Sequence, residues 1–95
     1  MSTTLQRLVV LGATGSIGVN TLDVVARHPD RFEVLALSGL HQIERLFEQC
    51  LRFRPRYAVV GSATMATRLE QMLAKAGVDT TVMAGIESLE RIASL

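Results

Sequence analysis

Three equally spaced glycines, Gly12, Gly15 and Gly18, are the residues of this chain best suited to binding a charged ligand. They lie between an apolar run at residues 8–11 and a segment with helical periodicity. A strand, a tight turn and a helix N-terminus form an anion site, because the first N–H groups of a helix lack partners within it and lie at its positive end. The pattern therefore predicts a turn that binds the pyrophosphate of a dinucleotide.

Each glycine has a separate predicted role. Gly12 ends the strand and permits a tight turn, whereas Gly15 leaves room for a phosphate to approach the backbone. Gly18 lies one turn into the helix, on the face that carries Leu22 and Val25, and lets that helix pack close to the sheet. A glycine-rich turn without a ligand is the alternative, and the flanking strand and helix patterns favour the phosphate site over it.

The elements that must position this turn follow a regular alternation of strand and helix patterns. Strands are predicted at 7–11, 32–38, 57–60 and 80–84, and helices at 15–28, around 43–51, from 62 to 77 and from 86 onward. This order predicts a parallel sheet in a Rossmann-type, three-layer α/β fold that is partial, with about four strand–helix units. A strand order of 3-2-1-4 leaves the fourth strand at a bare edge, so we expect either a fragment of a larger protein or a small domain that dimerises.

Apolar residues recur at helical spacing in the last three helices and predict their buried faces. The residues expected to face inward are Ile43, Leu46, Phe47, Cys50, Leu51, Met65, Ala66, Leu69, Met72, Leu73, Ala76, Leu89, Ile92 and Ala93. Ser62 is a suitable N-cap for the third helix, and Gly77 is a suitable residue just beyond its end.

The end of the second predicted strand carries no acidic residue. An NAD-binding fold places an acid about 20 residues past the glycines, where it holds the ribose hydroxyls. Residues 37–42 read Leu-Ser-Gly-Leu-His-Gln, and Arg45 lies one helical turn beyond His41. An acid would repel a 2′-phosphate, whereas the group formed by Ser38, Gln42, Arg45 and a positively charged His41 would bind it, so this segment favours NADP over NAD. For His41 alone, an ordinary surface position in the turn is an equally good interpretation.

Composition excludes several classes of protein. The chain has 95 residues, 48% of them hydrophobic, with a net charge of +1. The mean hydropathy is +0.30. A single cysteine excludes an internal disulfide and a cysteine-cluster metal site. The low net charge argues against a nucleic-acid partner, so we interpret the arginines at 52–56 as a solvated helix end. No membrane span and no signal peptide are expected, and we predict a cytoplasmic protein.

Residues that follow the glycine turn restrict the choice of protein family. The turn at 12–18 is followed by Thr-Leu-Asp-Val-Val at 21–25, His-Pro-Asp at 28–30, and Tyr-Ala-Val-Val at 57–60 after Pro55. Over its whole length the chain resembles the N-terminal region of 1-deoxy-D-xylulose 5-phosphate reductoisomerases. Semialdehyde dehydrogenases and extended short-chain epimerases share the glycine spacing, and a semialdehyde-dehydrogenase-like NADP enzyme is the alternative. A free-standing dinucleotide-binding interaction module is the non-enzyme alternative.

The resemblance implies an NADPH-dependent oxidoreductase of non-mevalonate isoprenoid biosynthesis. Enzymes of this family rearrange a phosphosugar, 1-deoxy-D-xylulose 5-phosphate, and reduce the resulting aldehyde to 2-C-methyl-D-erythritol 4-phosphate. A divalent metal, magnesium or manganese, holds the substrate oxygens. The family implies a homodimer in which an NADPH domain precedes a catalytic domain and a helical domain. Residues 1–95 are therefore expected to form an incomplete N-terminal NADP-binding Rossmann domain.

The resemblance also implies two groups of cofactor-binding residues. The first matches the family's phosphate-binding turn: Thr14, Gly15, Ser16 and Ile17. The second matches a segment that often reads Gly-Lys-Asn: Gly39, His41 and Gln42. Leu40 departs from the family pattern. The metal-binding and substrate-binding residues of the family lie beyond residue 95, so no catalytic or metal residue is assigned and this chain alone is expected to be inactive.

Overall fold

The computed structural model describes residues 5–94, with the backbone alone for residue 86. The leading segment, in which no signal peptide was expected, lies partly outside these residues. Strands and helices alternate as β1 (Gln6–Val10), α1 (Ser16–Arg27), β2 (Phe32–Ser38), α2 (Ile43–Phe53), β3 (Tyr57–Val60), α3 (Ala63–Ala76), β4 (Thr81–Ala84) and α4 (Ile86–Ala93). Every predicted element is confirmed. The predicted limits of β2 and β3 match the observed ones, and those of β1, α1 and β4 differ by one residue.

All four strands are parallel and follow the order β1-β2-β3-β4. The 3-2-1-4 order is therefore wrong, because β4 pairs with β3 and not with β1. Alternating strand and helix patterns are compatible with either order, since they do not specify the direction in which each crossover steps. Here three crossovers step in the same direction, which places their helices on one face of the sheet.

Two cores cover the two faces of the sheet, which gives the predicted three layers. On one face, α1, α2 and α3 bury a cluster that includes Leu22, Leu46 and Leu69. On the other face, Ile92 of α4 packs with Ala36 and Val59. Because strands covered on both faces need no polar side, the apolar runs at residues 34–37 of β2 and 57–60 of β3 follow from this arrangement.

Three of the residues expected to face inward are exposed: Leu51, Ala76 and Ala93. Leu51 lies at the outer edge of the apolar stripe of α2, and its side chain is 38% exposed. Ala76 and Ala93 are the last residues of α3 and α4. A helical apolar stripe is wider than the contact with the sheet, so residues at its margin and its end face solvent.

The ends of α3 have the predicted capping residues. The Ser62 hydroxyl accepts a hydrogen bond from the Met65 amide at 3.3 Å. Gly77 adopts a left-handed conformation with φ of 71°, and its N–H bonds back to the last turn of the helix. Within residues 5–94, no helix is both long and apolar enough to cross a membrane.

Cys50 provides a test of the core beneath α2. Its side chain is fully buried, and desolvation raises the pKa of the thiol to about 12. The unfolded chain releases this proton near pH 8.5, so above that pH the unfolded state binds fewer protons than the folded state. The free energy of unfolding should therefore fall as the pH rises from about 9 toward 12, by up to about 1.4 kcal/mol per pH unit.

Urea unfolding at about pH 7.5 and about pH 10 measures this loss, with Cys50→Ala as the matched control. Tyrosine and lysine titrate in both proteins, so the difference between them isolates the thiol. An equal loss of stability in the two proteins would contradict the prediction.

Candidate phosphate-binding site

The two predicted cofactor segments meet at the carboxyl edge of the sheet. One follows β1 and the other follows β2, and these strands are neighbours. Gly39 is buried, and a Cβ atom at this position would lie 3.0 Å from the Thr14 methyl carbon. The segments are therefore in direct contact, which is the arrangement that lets ligands bind at this edge in open α/β sheets.

The glycine turn has the tight geometry expected from its sequence. Gly12 has φ of 66°, a left-handed conformation that glycine adopts without strain. Its carbonyl oxygen accepts a hydrogen bond from the Gly15 amide at 3.0 Å, which closes the turn. Gly15 is the N-cap of α1 and has extended backbone angles. The turn therefore leads directly from the end of β1 into the first turn of α1.

Gly18 permits a backbone contact that no other residue could make. A Cβ atom at this position would lie 2.2 Å from the Gly12 carbonyl oxygen and 2.6 Å from Ala13 Cα. Both atoms belong to the backbone, so they cannot swing away as a flexible side chain could. The predicted role of Gly18 in close packing is confirmed, although its nearest contact is the turn and not the body of the sheet.

The amino end of α1 carries N–H groups that no described residue satisfies. The amides of Ser16, Ile17 and Gly18 have no hydrogen-bond acceptor within residues 5–94, and the N-cap glycine offers no side chain. No acidic residue occupies the first turn of the helix. These groups fit a phosphate, which accepts several hydrogen bonds and favours the positive end of a helix.

Four hydrogen bonds from β2 and α2 hold the turn in place. Ser38 accepts two of them, from the Gly12 amide to its hydroxyl at 2.8 Å and from the Ala13 amide to its carbonyl at 2.7 Å. The Gln49 side-chain amide donates to the Ala13 carbonyl at 2.7 Å. The Arg45 guanidinium donates to the Thr14 carbonyl at 3.4 Å. The turn is thus supported from outside through four backbone groups of three consecutive residues, Gly12, Ala13 and Thr14.

Three of these residues have roles that differ from what the sequence indicated. Ser38 was expected to contact a 2′-phosphate, but it is buried, and its hydroxyl and carbonyl groups accept hydrogen bonds from the glycine turn. Arg45 was expected with His41 in a group that accepts a 2′-phosphate, and its guanidinium contacts the phosphate turn instead. Gln49 was not identified as a site residue. In the sequence, Gln49 is a polar residue immediately before the predicted core residue Cys50. The sequence does not distinguish such a residue from an ordinary polar residue at the margin of a helix face.

The second segment is more exposed than the first. His41 and Gln42 are exposed, and Gln42 is the N-cap of α2 without a side-chain capping bond. The Leu40 carbonyl accepts a hydrogen bond from the Gly61 amide at 3.2 Å, which ties this segment to the start of the β3–α3 loop. Leu40, the residue that departs from the family pattern, therefore contributes a contact through its backbone carbonyl.

The structure brings all seven predicted residues to one edge of the sheet. Thr14 and Gly39 are buried in the contact between the segments, while Gly15, Ser16 and Ile17 are exposed at the helix end. Their contacts with a cofactor stay predictions. None of the seven lines the cleft of about 370 Å³ between α1 and α2, whose lining includes Arg45 and Gln49. Across the described part of the chain, no three His, Cys, Asp or Glu residues converge on a possible metal site.

Comparison with known proteins identifies one family. A sequence model of the family described as 1-deoxy-D-xylulose 5-phosphate reductoisomerase matches residues 8–95. The chain is 56% identical over 93 residues to the protein of that name from Nitrosomonas eutropha, covering 98% of this chain and 22% of that protein. It is 52% identical over 95 residues to the one from Dechloromonas aromatica, covering 100% of this chain and 24% of that protein.

Solved structures with the same fold include ligand complexes. A crystal structure of DOX-P reductoisomerase in complex with NADPH, fosmidomycin and magnesium matches with a TM-score of 0.90 and 38% identity, covering 95% of this chain and 22% of that one. The Zymomonas mobilis reductoisomerase in complex with NADPH matches with a TM-score of 0.83 and 34% identity, covering 90% and 22%. This chain thus spans about a fifth of the length of the relatives it matches.

The glycine turn provides a matched pair of stability tests. Gly18→Ala should lower the free energy of unfolding by about 1–3 kcal/mol or more, because its methyl group meets fixed backbone atoms. Gly15→Ala should change it by less than about 1 kcal/mol, since φ is −83° and the new Cβ lies 3.4 Å from the Gly12 carbonyl. Thermal and urea unfolding of both variants would measure the difference, and equal losses would contradict the assigned role of Gly18.

Proposed function

We propose that this chain, which belongs to the 1-deoxy-D-xylulose 5-phosphate reductoisomerase family, forms the phosphate-binding part of an NADPH site. The observation that carries this proposal is a set of three backbone amides, at the start of α1 and directly after the glycine turn, that have no hydrogen-bond acceptor within residues 5–94. In this arrangement the pyrophosphate of the cofactor accepts hydrogen bonds from Ser16, Ile17 and Gly18. Gly15 leaves the space through which the phosphate approaches.

The second segment contributes the selectivity for NADPH over NADH. Its residues offer hydrogen bonds, and His41 can carry a positive charge beside a 2′-phosphate. No acid lies within residues 37–42 to repel that phosphate. NADPH, when bound, supplies a hydride, and the residues of this chain bind and orient the cofactor without reacting themselves.

The activity proposed for the whole protein is that of the family. In this proposal an oxidoreductase of non-mevalonate isoprenoid biosynthesis rearranges and reduces 1-deoxy-D-xylulose 5-phosphate to 2-C-methyl-D-erythritol 4-phosphate. The magnesium or manganese ligands and the catalytic residues are proposed to lie outside this chain, which spans about a fifth of the matched relatives. We further propose a cytoplasmic homodimer that binds a phosphosugar and neither nucleic acid nor membranes.

Family membership favours this activity over that of a semialdehyde-dehydrogenase-like enzyme with the same glycine spacing. If the chain is instead a free-standing dinucleotide-binding module, it should bind NADPH by itself, without any other segment. Titration of the 95-residue chain and of a full-length protein with NADPH distinguishes the two. Binding by the full-length protein alone would support the enzyme.

Gly15→Ala tests the phosphate site directly. The fold should accommodate the substitution, because the new Cβ lies 3.4 Å from the Gly12 carbonyl oxygen. In the proposed site, the added methyl group narrows the approach of the phosphate to the amides at the start of α1. The dissociation constant for NADPH, measured by cofactor fluorescence, should rise at least about tenfold in the full-length protein. Asn20→Ala, an exposed position further along α1, is the control and should bind as the unsubstituted protein does. Unchanged NADPH binding by Gly15→Ala would exclude a phosphate at this position.

The two histidines of the chain form a matched pair for testing cofactor selectivity. His41→Ala should reduce the preference for NADPH over NADH by about three- to tenfold, because a charge-assisted contact with the 2′-phosphate is lost. His28→Ala, at the end of α1 that lies away from the glycine turn, should leave the preference for NADPH over NADH unchanged. The ratio of the two dissociation constants measures the effect. A preference that survives His41→Ala would remove His41 from the 2′-phosphate site.

A further inference from the structure

We propose that Gln49 is a positioning residue of the phosphate site, which aims the Thr14 amide by holding the carbonyl group of Ala13. This inference rests on the proposed function, because it assigns a role within the same NADPH site. Gln49 lies in α2, two turns beyond the segment that carries His41, and it does not itself reach the free amides of α1 by any observed hydrogen bond.

The geometry of a single peptide group carries the inference. The Gln49 side-chain nitrogen donates to the Ala13 carbonyl oxygen at 2.7 Å. The described part of the chain contains no cis peptide bond, so the Thr14 N–H points away from that carbonyl. No described residue accepts a hydrogen bond from the Thr14 amide. Holding the oxygen toward α2 therefore turns the N–H away from α2, and in this proposal that N–H adds a donor for the phosphate to those of α1.

The chemistry of the Gln49 side chain supports a directional role over a packing role. Its oxygen is buried and has no hydrogen-bond partner within residues 5–94. Burying an unpaired acceptor is unfavourable, and an apolar side chain of similar size would avoid that cost. The nitrogen is the part of the side chain that makes a contact, and this contact fixes its orientation. A reversed amide would place two oxygens against each other.

Arg45 makes a similar but longer contact with the next carbonyl group, that of Thr14, at 3.4 Å. The two side chains occupy successive turns of the same helix face. Carbonyl oxygens repel a phosphate, and donors from α2 engage two successive carbonyls of the turn, those of Ala13 and Thr14. The shorter bond makes Gln49 the stronger constraint of the two.

The inference can be tested with Gln49→Glu, which keeps the shape of the side chain and removes the donor. Gln49→Leu removes both polar atoms without adding a charge, and it serves if the glutamate variant does not fold. Gln71→Leu, on the exposed face of α3, is the matched control. In the full-length protein, NADPH affinity is measured by fluorescence, and adenosine 2′-monophosphate is titrated as a competitor that lacks the pyrophosphate. Steady-state rates give kcat and the KM for NADPH.

Both Gln49 variants should bind NADPH about tenfold more weakly and show a correspondingly higher KM, with kcat changed by less than about twofold. Their affinity for adenosine 2′-monophosphate should be unchanged, because that ligand contacts the second segment. Unchanged NADPH affinity would overturn the inference, and so would an equal loss for both ligands, which would indicate general damage to the fold. If the unsubstituted protein failed to bind NADPH, the proposed function would fail and the inference with it.

Discussion

The contact between Gly18 and the Gly12 carbonyl is the constraint on which the rest of the site depends. Helix α1 begins so close to the turn after β1 that only a hydrogen atom fits between Gly18 and the backbone of Gly12 and Ala13. Because both sides of this contact are backbone, its geometry is set without any side-chain rotamer. The contact brings the positive end of α1 to the carboxyl edge of the sheet, next to the loop that follows β2. A ligand held by the helix end is therefore within reach of both segments.

This contact alone would leave the turn free to rotate its peptide groups, and the second strand and helix supply the missing restraints. Ser38 accepts from two successive amides of the turn, and Gln49 donates to the carbonyl that follows them. Both elements that supply these restraints, β2 and α2, flank the second cofactor segment. The hydrogen bonds that hold the glycine turn therefore come from the elements on either side of that segment. The glycine turn is thereby joined to β2 and α2 by hydrogen bonds as well as by the apolar core, which includes Ala13.

The sequence predicted the local features of this arrangement and failed on the non-local ones. The turn at 12–18 could be recognised because each glycine meets a requirement set by residues no more than six positions away in the chain. The buried position of Cys50 followed from helical periodicity. The position of β4 did not follow, because it depends on which way a crossover steps across the sheet. The Gln49 contact joins positions 36 residues apart, and no local pattern specifies such a pair.

The charges around the end of β2 support the proposal that the exposed His41 contacts the 2′-phosphate. Glu44, in the first turn of α2, is the nearest acid to the second segment, and its carboxylate pairs with Arg68 at 3.2 Å. That exposed pair is worth little in stability, but it places a positive charge beside the acid and reduces its repulsion of an incoming phosphate. Arg45 is occupied at the glycine turn. Of the basic groups on or beside this segment, His41 is exposed and makes no hydrogen bond within residues 5–94, so in the proposed site it is the basic side chain left to contact the 2′-phosphate.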